Sequence, residues 1–269
     1  MTRDAWLAQY PYLQPVADLH AIIDSSAAEI IVPTPVSPEW KEYLDDFTAG
    51  VPLLLSSSGH IDLSPAELML ASLVQKLATR RLPGALTQQI NVLGTEFQSD
   101  KDSPRRVLVW LLGKDSFSTA HPGLLQYLAW TVLRRYLSRV VVVFSNWRDE
   151  ERWLRNYCPT CGSPPGMAQF VGVEPDRFRL LCCGCCATRW RYRRTQCPFC
   201  ERDEHRLAGF AVEGSPLRID YCEACGGYLK TCYGGSNETL LLADWMSIHL
   251  DIAASDQGLK RLAASLYQF

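Results

Sequence analysis

A repeat of eight cysteines constrains the fold of this chain more than any other feature of its sequence. Four cysteines recur 39 positions later, so that Cys158, Cys161, Cys183 and Cys186 correspond to Cys197, Cys200, Cys222 and Cys225. Each half reads C-x2-C-x21-C-x2-C, the spacing of a tetrahedral metal site in which two short loops each supply two thiolates. The sequence therefore predicts two tandem metal-binding ribbons. Two sequential sites are favoured over an interleaved use of the same eight ligands.

The distribution of the cysteines also indicates a cellular compartment and a domain boundary. All eleven lie between residues 158 and 232, and the first 157 residues contain none. No apolar run reaches the roughly 18 residues of a membrane span, and the N-terminus has no apolar signal segment. We therefore expect a cytoplasmic protein without a membrane span. In that reducing compartment, cysteines serve as metal ligands or redox thiols rather than as disulfides.

The first half of the chain has the pattern of a helical domain. Ser-Pro or Pro signals predict helix starts at Ser37, Ser64, Ser103 and Pro122, and the segment Val51–Ile61 is interpreted as a connecting loop. Asn146–Tyr157 is at best a weak linker to the ribbons. The predicted fold class is α+β, with an N-terminal α-helical domain, two tandem rubredoxin-like or zinc-ribbon modules and a C-terminal helical tail. The predicted boundaries are 1–157, 158–194, 195–235 and 236–269.

Each ribbon is expected to contain a β-hairpin between its cysteine pairs. Turn signals at Pro175-Asp176 and at Gly214-Ser215 occupy equivalent places in the two halves. A stretch of about 30–40 residues cannot bury enough apolar surface to fold alone, and a structural metal site supplies the missing stabilisation. Beyond the ribbons, Glu238–Asp251 and Gln257–Tyr267 are predicted to be helices.

Three cysteines remain outside the predicted ligand set. Residues 181–186 contain two overlapping CxxC frames, and the 39-residue period selects Cys183 and Cys186, which leaves Cys182, Cys185 and Cys232. These are interpreted as small buried side chains, with a reactive thiol beside the metal as the alternative. Four thiolates suit zinc or a single rubredoxin-type iron. Because protein atoms fill every position, no open site remains for hydrolytic metal chemistry.

A basic and aromatic stretch follows the first ribbon's cysteines. Alternation along residues 189–194 predicts a strand with Arg189, Arg191 and Arg193 on one face and Trp190 and Tyr192 on the other. A half-buried strand with a solvated face is the favoured interpretation, and a partner-binding or RNA-binding surface is the alternative. The chain has a net charge of −2 and residues 151–232 hold 12 Lys/Arg against 9 Asp/Glu, so nucleic-acid binding is not expected. No catalytic motif is found.

Taken together, these motifs resemble the FdhE family of formate dehydrogenase accessory proteins. The resemblance rests on four CxxC motifs in this order, on Trp190 four residues after the second motif, and on the C-x-x-C-G-x-Tyr-Leu-Lys ending from Cys222 to Lys230. It is specific over about residues 158–232 and loose over the helical half. The additional cysteines Cys182 and Cys185 depart from the family pattern.

The resemblance implies a cytoplasmic, non-catalytic factor for the maturation of respiratory formate dehydrogenase. The implied client is the catalytic subunit, a molybdenum protein exported by the twin-arginine route. The implied cofactors are two metal ions, one in each four-cysteine site, with iron favoured and zinc as the alternative. Residues considered for partner binding or redox chemistry are Cys182, Cys185, Arg189, Trp190, Arg191, Arg193 and Tyr228. The alternative functions are a rubredoxin-like electron carrier or thiol-redox protein, and a nucleic-acid-binding zinc-ribbon protein.

Overall fold

The chain divides into two compact units. The computed structural model describes residues 4, 7, 8, 10–203, 207–211, 217–233 and 240–265 of the 269. The first unit takes its described residues from Met1–Val36 and Ile61–Arg139, and the second from Ser37–His60 and Val140–Phe269. Within the described residues, no helix combines the length and the apolar character needed to cross a membrane.

The first unit is helical. It contains α1 (Gln14–Ala28), α3 (Ser64–Ala78), α4 (Gly84–Ser99), α5 (Ser103–Leu111) and the part of α6 (Pro122–Trp147) that ends at Arg139. Proline in the first turn begins α1, α3 and α5, where its missing N–H leaves no intrahelical bond unmade. Leucines at helical spacing form the core. They include Leu70, Leu73, Leu77, Leu93, Leu108, Leu125 and Leu128.

The second unit combines helices with one mixed sheet. Its helical parts are α2 (Trp40–Ala49), a short 3-10 turn at Leu53–Leu55, the end of α6, α7 (Leu240–Met246) and α8 (Ile248–Asp256). The strands are β1 (Pro165–Val171), β2 (Phe178–Cys183), β3 (Arg189–Tyr192), β4 (Leu207–Ala211), β5 (Leu217–Cys222) and β6 (Tyr228–Tyr233). The α+β class, with a helical N-terminal part and two cysteine ribbons, is confirmed.

The sequence repeat appears in the sheet as a repeated three-stranded unit. Strands β2 and β5 begin and end 39 residues apart, and the strand order is β3-β2-β1-β6-β5-β4. Pairing within each ribbon is antiparallel. The ribbons join through a parallel pair between β1 and β6, with Ala168 opposite Thr231 and Phe170 opposite Tyr233. One continuous six-stranded sheet results. The predicted turn at Gly214-Ser215 lies outside the described residues.

One face of this sheet packs against the C-terminal helices. Alternate residues of a strand point to opposite faces, and on β5 Leu217 and Ile219 face the core while Arg218 and Asp220 face away. The core also contains Met167, Cys182, Tyr228, Cys232, Leu250 and Ala254. On β5 the opposite face therefore carries the half-buried polar side chains of Arg218 and Asp220.

Several sequence expectations need correction. The predicted helix at Gln257–Tyr267 is wrong for its described part, residues 257–265. The chain instead leaves α8 through Gly258 (φ +72°) and pairs Lys260 with Gly227. This happens because Lys260 N–H donates to the Gly226 carbonyl at 2.7 Å. Helix α3 begins at Ser64 as expected, but α2 begins at Trp40 rather than at Ser37. Residues 266 and 267 lie outside the described part.

Candidate metal centres

The structure groups the eight repeat cysteines sequentially into two sets of four. Within each set all four Sγ atoms lie within 4.8 Å of one another. The members of the first cluster are Cys158, Cys161, Cys183 and Cys186. The members of the second cluster are Cys197, Cys200, Cys222 and Cys225. Each cluster takes two cysteines from the loop before a ribbon's first strand and two from the end of its second strand and the following turn.

The sulfur positions fit a tetrahedral metal ion. With metal–sulfur bonds near 2.3 Å, the sulfurs of such a site lie about 3.8 Å apart. In the second cluster the distances are 3.8 Å between Cys197 and Cys225 and 3.7 Å between Cys200 and Cys222. In the first cluster Cys158–Cys186 is 3.4 Å and Cys161–Cys183 is 3.5 Å. Both clusters therefore have the donor set and nearly the dimensions for one zinc or one iron each.

Each CxxC segment folds into a tight turn that places both sulfurs on one side. In three of the four turns the N–H of the residue after the second cysteine bonds to the carbonyl of the first, at 2.8–2.9 Å. In all four, the N–H of the first cysteine bonds to a carbonyl five residues on, again at 2.8–2.9 Å. The residue after the second cysteine has a positive φ in every case. These four residues are Gly162, Ala187, Glu201 and Gly226.

Backbone N–H groups inside the turns point at the sulfurs. Thr160 N–H donates to Cys158 Sγ, Phe199 N–H to Cys197 Sγ and Gly227 N–H to Cys225 Sγ, each at 3.4 Å. Donors aimed at sulfur stabilise the thiolate that a metal requires. The turns are therefore formed for charged ligands rather than for neutral thiols.

The two clusters differ in their exposure to solvent. All four cysteines of the first cluster are buried, whereas Cys200 and Cys225 of the second are partly exposed. The buried cluster also has a side-chain donor, since Thr188 Oγ1 lies 3.2 Å from Cys186 Sγ and 2.8 Å from Thr160 Oγ1. We therefore distinguish an enclosed first cluster from an accessible second cluster.

The cysteine thiols of the enclosed cluster differ strongly in their pKa. Burial raises the pKa of Cys161 and Cys183 well above the ordinary thiol value. Burial also acts to raise the pKa of Cys186, but hydrogen bonds from the three other thiols and from Thr188 lower it well below that value. Without a metal cation, burial disfavours several thiolates side by side, so most of the four thiols keep their protons. A bound metal ion displaces the remaining protons, so metal affinity should rise with pH.

A segment that the sequence presented as a connecting loop supports the first cluster. Leu53 N–H donates to the Pro159 carbonyl at 2.8 Å and Leu54 N–H to the Thr160 carbonyl at 2.9 Å. Gly162, at positive φ, packs near Leu55, because an added Cβ would approach its Cδ1 to 3.2 Å. The short apolar run Leu53–Leu55 was the available signal for this contact. The run alone does not identify its partner, because Pro159 and Thr160 lie far away in the chain.

The expected linker, residues 146–157, is likewise part of the ribbon structure. Arg148 is buried and donates to the Arg189 carbonyl, while Glu150 accepts from Arg191 N–H at 3.1 Å. Trp190 is fully buried and its indole N–H donates to the Arg155 carbonyl at 3.0 Å. The outer edge of β3 is therefore covered by this segment.

The residues considered for partner binding fall into two groups. Four of them are buried, namely Cys182, Cys185, Trp190 and Tyr228. Arg189 and Arg191 are half-exposed and bond to Gln169 and Glu151, while Arg193 is exposed. A partner-binding role for these residues remains a prediction, and burial leaves the arginines as its surface candidates.

Two of the three cysteines outside the clusters lie in apolar surroundings. Cys182 and Cys232 belong to the core between the sheet and the C-terminal helices. Burial raises the pKa of Cys182 to about 12, with Arg189 opposing the shift. Burial also raises the pKa of Cys232. A thiol with a raised pKa is a poor nucleophile, and this environment favours a packing role.

Comparison with known proteins relates the chain to FdhE proteins. No protein-family model matches it. It is 37% identical over 123 residues to a protein named as an FdhE homolog from Stutzerimonas stutzeri, a match that covers 43% of this chain and 39% of the relative. An FdhE homolog of Aquifex aeolicus is 33% identical over 115 residues, or 41% of each chain. FdhE from Salmonella dublin is 29% identical over 147 residues, covering 53% and 47%. These matches span between two-fifths and half of the length of the relatives.

A solved structure extends the fold similarity to nearly the whole chain. The crystal structure of the FdhE protein from Pseudomonas aeruginosa matches with a TM-score of 0.65 and 22% sequence identity. The match covers 95% of this chain and 88% of the solved one. The helical part and the ribbon part therefore occur together in the same fold elsewhere.

Proposed function

We propose that this chain, which is similar to FdhE proteins in sequence and in fold, is a metal-binding accessory protein for the maturation of formate dehydrogenase. The observation that carries the proposal is the pair of four-cysteine clusters within a fold shared with an FdhE protein. The protein acts in the cytoplasm, binds the immature catalytic subunit and performs no catalysis of its own. Its four turns hold the sulfurs, and the sheet holds the two clusters at a fixed separation.

Two iron ions, one per cluster, are proposed as the bound metals. A bound iron would supply a one-electron redox step, which zinc cannot supply. The chain's own residues exclude water from the first cluster and direct N–H groups at the sulfurs of both. The hydrolytic use of a metal is not part of the proposal, since four protein ligands leave no open position.

The test is genetic complementation combined with a binding measurement. In a bacterium lacking its own FdhE, expression of this chain should restore respiratory formate dehydrogenase activity, and the chain should co-purify with the catalytic subunit before export. Co-purification with unrelated unfolded proteins to the same extent would refute a specific client. Metal analysis of protein purified without air should give two irons per chain.

A second candidate function, electron transfer, is favoured by the exposure of the second cluster. Redox centres exchange electrons at a protein surface, and Cys200 and Cys225 are partly exposed. A reversible one-electron reduction of the iron protein would support this role, and tightly bound zinc at both clusters would eliminate it. The thiol-redox alternative is tested with the variants Cys182→Ala and Cys185→Ala. If both variants complement as well as the wild type does, thiol exchange by these cysteines is excluded.

A further inference from the structure

A cleft on the face of the sheet opposite the C-terminal helices lies beside the second cluster. Its volume is about 320 Å³. It is formed by β1, β2, β4, β5 and β6, with the Cys197 turn at one end and Arg194 on its rim. Clefts of this size are at the lower end of those that hold ligands. It can therefore take one or two side chains of a partner rather than a folded element.

The base of the cleft contains a buried cation without a carboxylate partner among the described residues. Arg179 on β2 is 4% exposed. Its Nη1 donates to the Gln196 carbonyl at 3.2 Å. Its Nε has no hydrogen-bond partner within the part of the chain that the structure describes. Burial lowers the pKa of Arg179, while Asp220 and Cys197 act on it electrostatically in the opposite direction. Guanidinium groups stay charged in proteins, and a buried charge is costly unless it is paired.

The other two arginines that line the cleft already have anionic partners. Arg194 binds Glu174 through two hydrogen bonds, at 2.8 and 3.1 Å. Arg218 lies 2.7 Å from Asp220 on the same strand. Of the guanidinium groups described in the cleft, one is therefore left for a ligand. A nucleic-acid strand places phosphates at regular intervals and requires several available cations, whereas a single carboxylate matches a single arginine.

Stacked aromatic rings provide the apolar part of the cleft. Phe170 and Tyr233 face each other across the β1–β6 junction, with ring centroids 5.1 Å apart and planes at 25°. Arg194 lies over the Phe170 ring and Arg218 over the Tyr233 ring. The cleft thus presents flat apolar surface around one buried cation. This combination suits an acidic side chain whose neighbours along the chain are apolar.

We propose that this cleft binds a Glu or Asp side chain of an extended segment of a protein partner, with the carboxylate paired to Arg179. A carboxylate on a side-chain stem can reach the base while the partner's main chain stays at the rim. Arginine's planar fork binds carboxylates through two parallel hydrogen bonds. The identity of the partner rests on the proposed function, under which the segment belongs to the client subunit. The chemistry of the cleft does not depend on that identity.

The test uses the metal-loaded full chain and a displayed library of random short peptides. We expect selection on the wild-type protein to enrich peptides with one acidic residue between apolar ones. Replacement of that acidic residue by its amide should weaken binding at least about tenfold. Arg179→Met should weaken binding by a similar factor, while a control substitution at an exposed arginine away from the cleft, Arg81→Gln, leaves it unchanged. Library selection that enriches no acidic peptide, or binding that survives Arg179→Met, would overturn the proposal.

Thermal stability separates a ligand-binding role of Arg179 from a structural one. Since replacing an unpaired buried charge by a methionine removes a desolvation cost, Arg179→Met should keep the metal content and an equal or higher Tm. A lower Tm with lost metal would indicate a structural role and overturn the proposal. Phe170→Ala, which keeps the arginine, should also weaken peptide binding. Displacement of the peptides by single-stranded RNA, dependent on Arg179, would point to a nucleic-acid site instead.

The client is examined in a separate measurement. Co-purification of the catalytic subunit with wild-type protein and its loss with Arg179→Met would place the client segment in this cleft. Retention of the subunit by Arg179→Met would overturn the cleft as the client's site while leaving the proposed function intact. Failure of the wild-type protein to bind the subunit, with acidic peptides still bound at the cleft, would instead refute the proposed client alone.

Discussion

Lys230 on β6 and Asp251 on α8 form a buried ion pair, with Nζ and Oδ2 2.7 Å apart. Lys230 is 2% exposed, and its ammonium group also contacts the Asp244 carboxylate at 2.6 Å. Arg261 binds both carboxylates, and Tyr228 O–H donates to Asp251 at 2.8 Å. Two positive and two negative charges balance. The Tyr-Leu-Lys sequence after the last CxxC motif therefore attaches the C-terminal helices to the sheet.

Replacement of Lys230 by methionine should strongly destabilise the second unit. It leaves two buried carboxylates with only Arg261 as counter-charge among the described residues, and breaking a buried pair from one side costs about 3–5 kcal/mol. Urea unfolding followed by circular dichroism measures the free energy of unfolding. The exposed Lys260, changed to methionine, serves as the control and should change that energy by less than about 0.5 kcal/mol. Equal effects of the two substitutions would contradict the assigned role of the network.

The same network predicts a loss of stability in acid. Burial acts to raise the pKa of Asp244, but Lys230, Arg261 and Ser265 hold it below its ordinary value. A carboxylate whose pKa is lower in the folded than in the unfolded protein stabilises the fold. This stabilisation is complete above the unfolded pKa of about 3.9 and is lost as the pH falls through the folded pKa. The difference in unfolding free energy between wild type and Lys230→Met should therefore be constant from about pH 7 to 5 and shrink below about pH 4. A difference independent of pH down to about 3 would contradict this linkage.

The residue after the second cysteine of each turn has a left-handed backbone conformation, which glycine adopts more easily than other residues. Substitutions to and from glycine at this position should therefore have opposite effects on stability. Gly226 has φ +70° and open space around an added Cβ, so Gly226→Ala tests backbone strain alone. It should destabilise the second ribbon by about 1–2 kcal/mol. Glu201 has φ +57°, so Glu201→Gly should stabilise it by about 1 kcal/mol or less.

Gly123→Ala provides the control for these two variants. It lies in the first turn of α6, without a positive φ and with open space, so it should be neutral or slightly stabilising. Thermal melts of the zinc-loaded proteins, compared at equal metal content, measure all three changes. A stabilising Gly226→Ala would show that the left-handed backbone is not a source of strain here.

The hydroxyl pair beside the first cluster should control metal affinity there. Thiolate sulfur accepts hydrogen bonds, so Thr160 donates to Thr188 and Thr188 donates to Cys186. Thr188→Val should lower metal affinity at the first cluster by about 10–100-fold, as is usual for partners of metal ligands. It should also destabilise the fold by about 1–3 kcal/mol, because the Thr160 hydroxyl loses its partner.

The double variant Thr160→Val with Thr188→Val separates these two effects. It removes both hydroxyls, so it should regain stability but not metal affinity. Thr231→Val is the matched control, because the buried Thr231 hydroxyl has no hydrogen-bond partner among the described residues. Competitive titration with a coloured chelator measures affinity. Unchanged affinity in Thr188→Val would show that the hydroxyl does not act on the sulfur.

The difference in exposure between the clusters predicts two rates of metal loss. A chelator reaches the accessible second cluster directly, whereas the enclosed first cluster must open locally before it releases its metal. We expect one metal per chain to leave rapidly and one slowly. Cys200→Ser should abolish the fast phase and Cys161→Ser the slow phase. A single phase carrying both metals would contradict the distinction between the clusters.

Local sequence patterns determined much of this protein. Eight cysteines at a period of 39 residues predicted two ribbons and their ligand sets, because a CxxC turn brings both sulfurs together within a few residues. Alternation along β3 predicted that Trp190 would be buried, and Pro104 marked the first turn of α5. In each case the physical cause lies within a few neighbouring residues.

Only the tertiary structure decided the remaining features. The parallel β1–β6 pair, the contact of Leu53 with the Pro159 carbonyl, the Lys230 network and the unpaired Arg179 Nε all depend on residues that are distant in the chain. The segment after α8 is extended rather than helical because Lys260 pairs with the turn at Gly226. Local propensity cannot reveal such contacts, since their stability comes from burial and from partners that folding alone brings together.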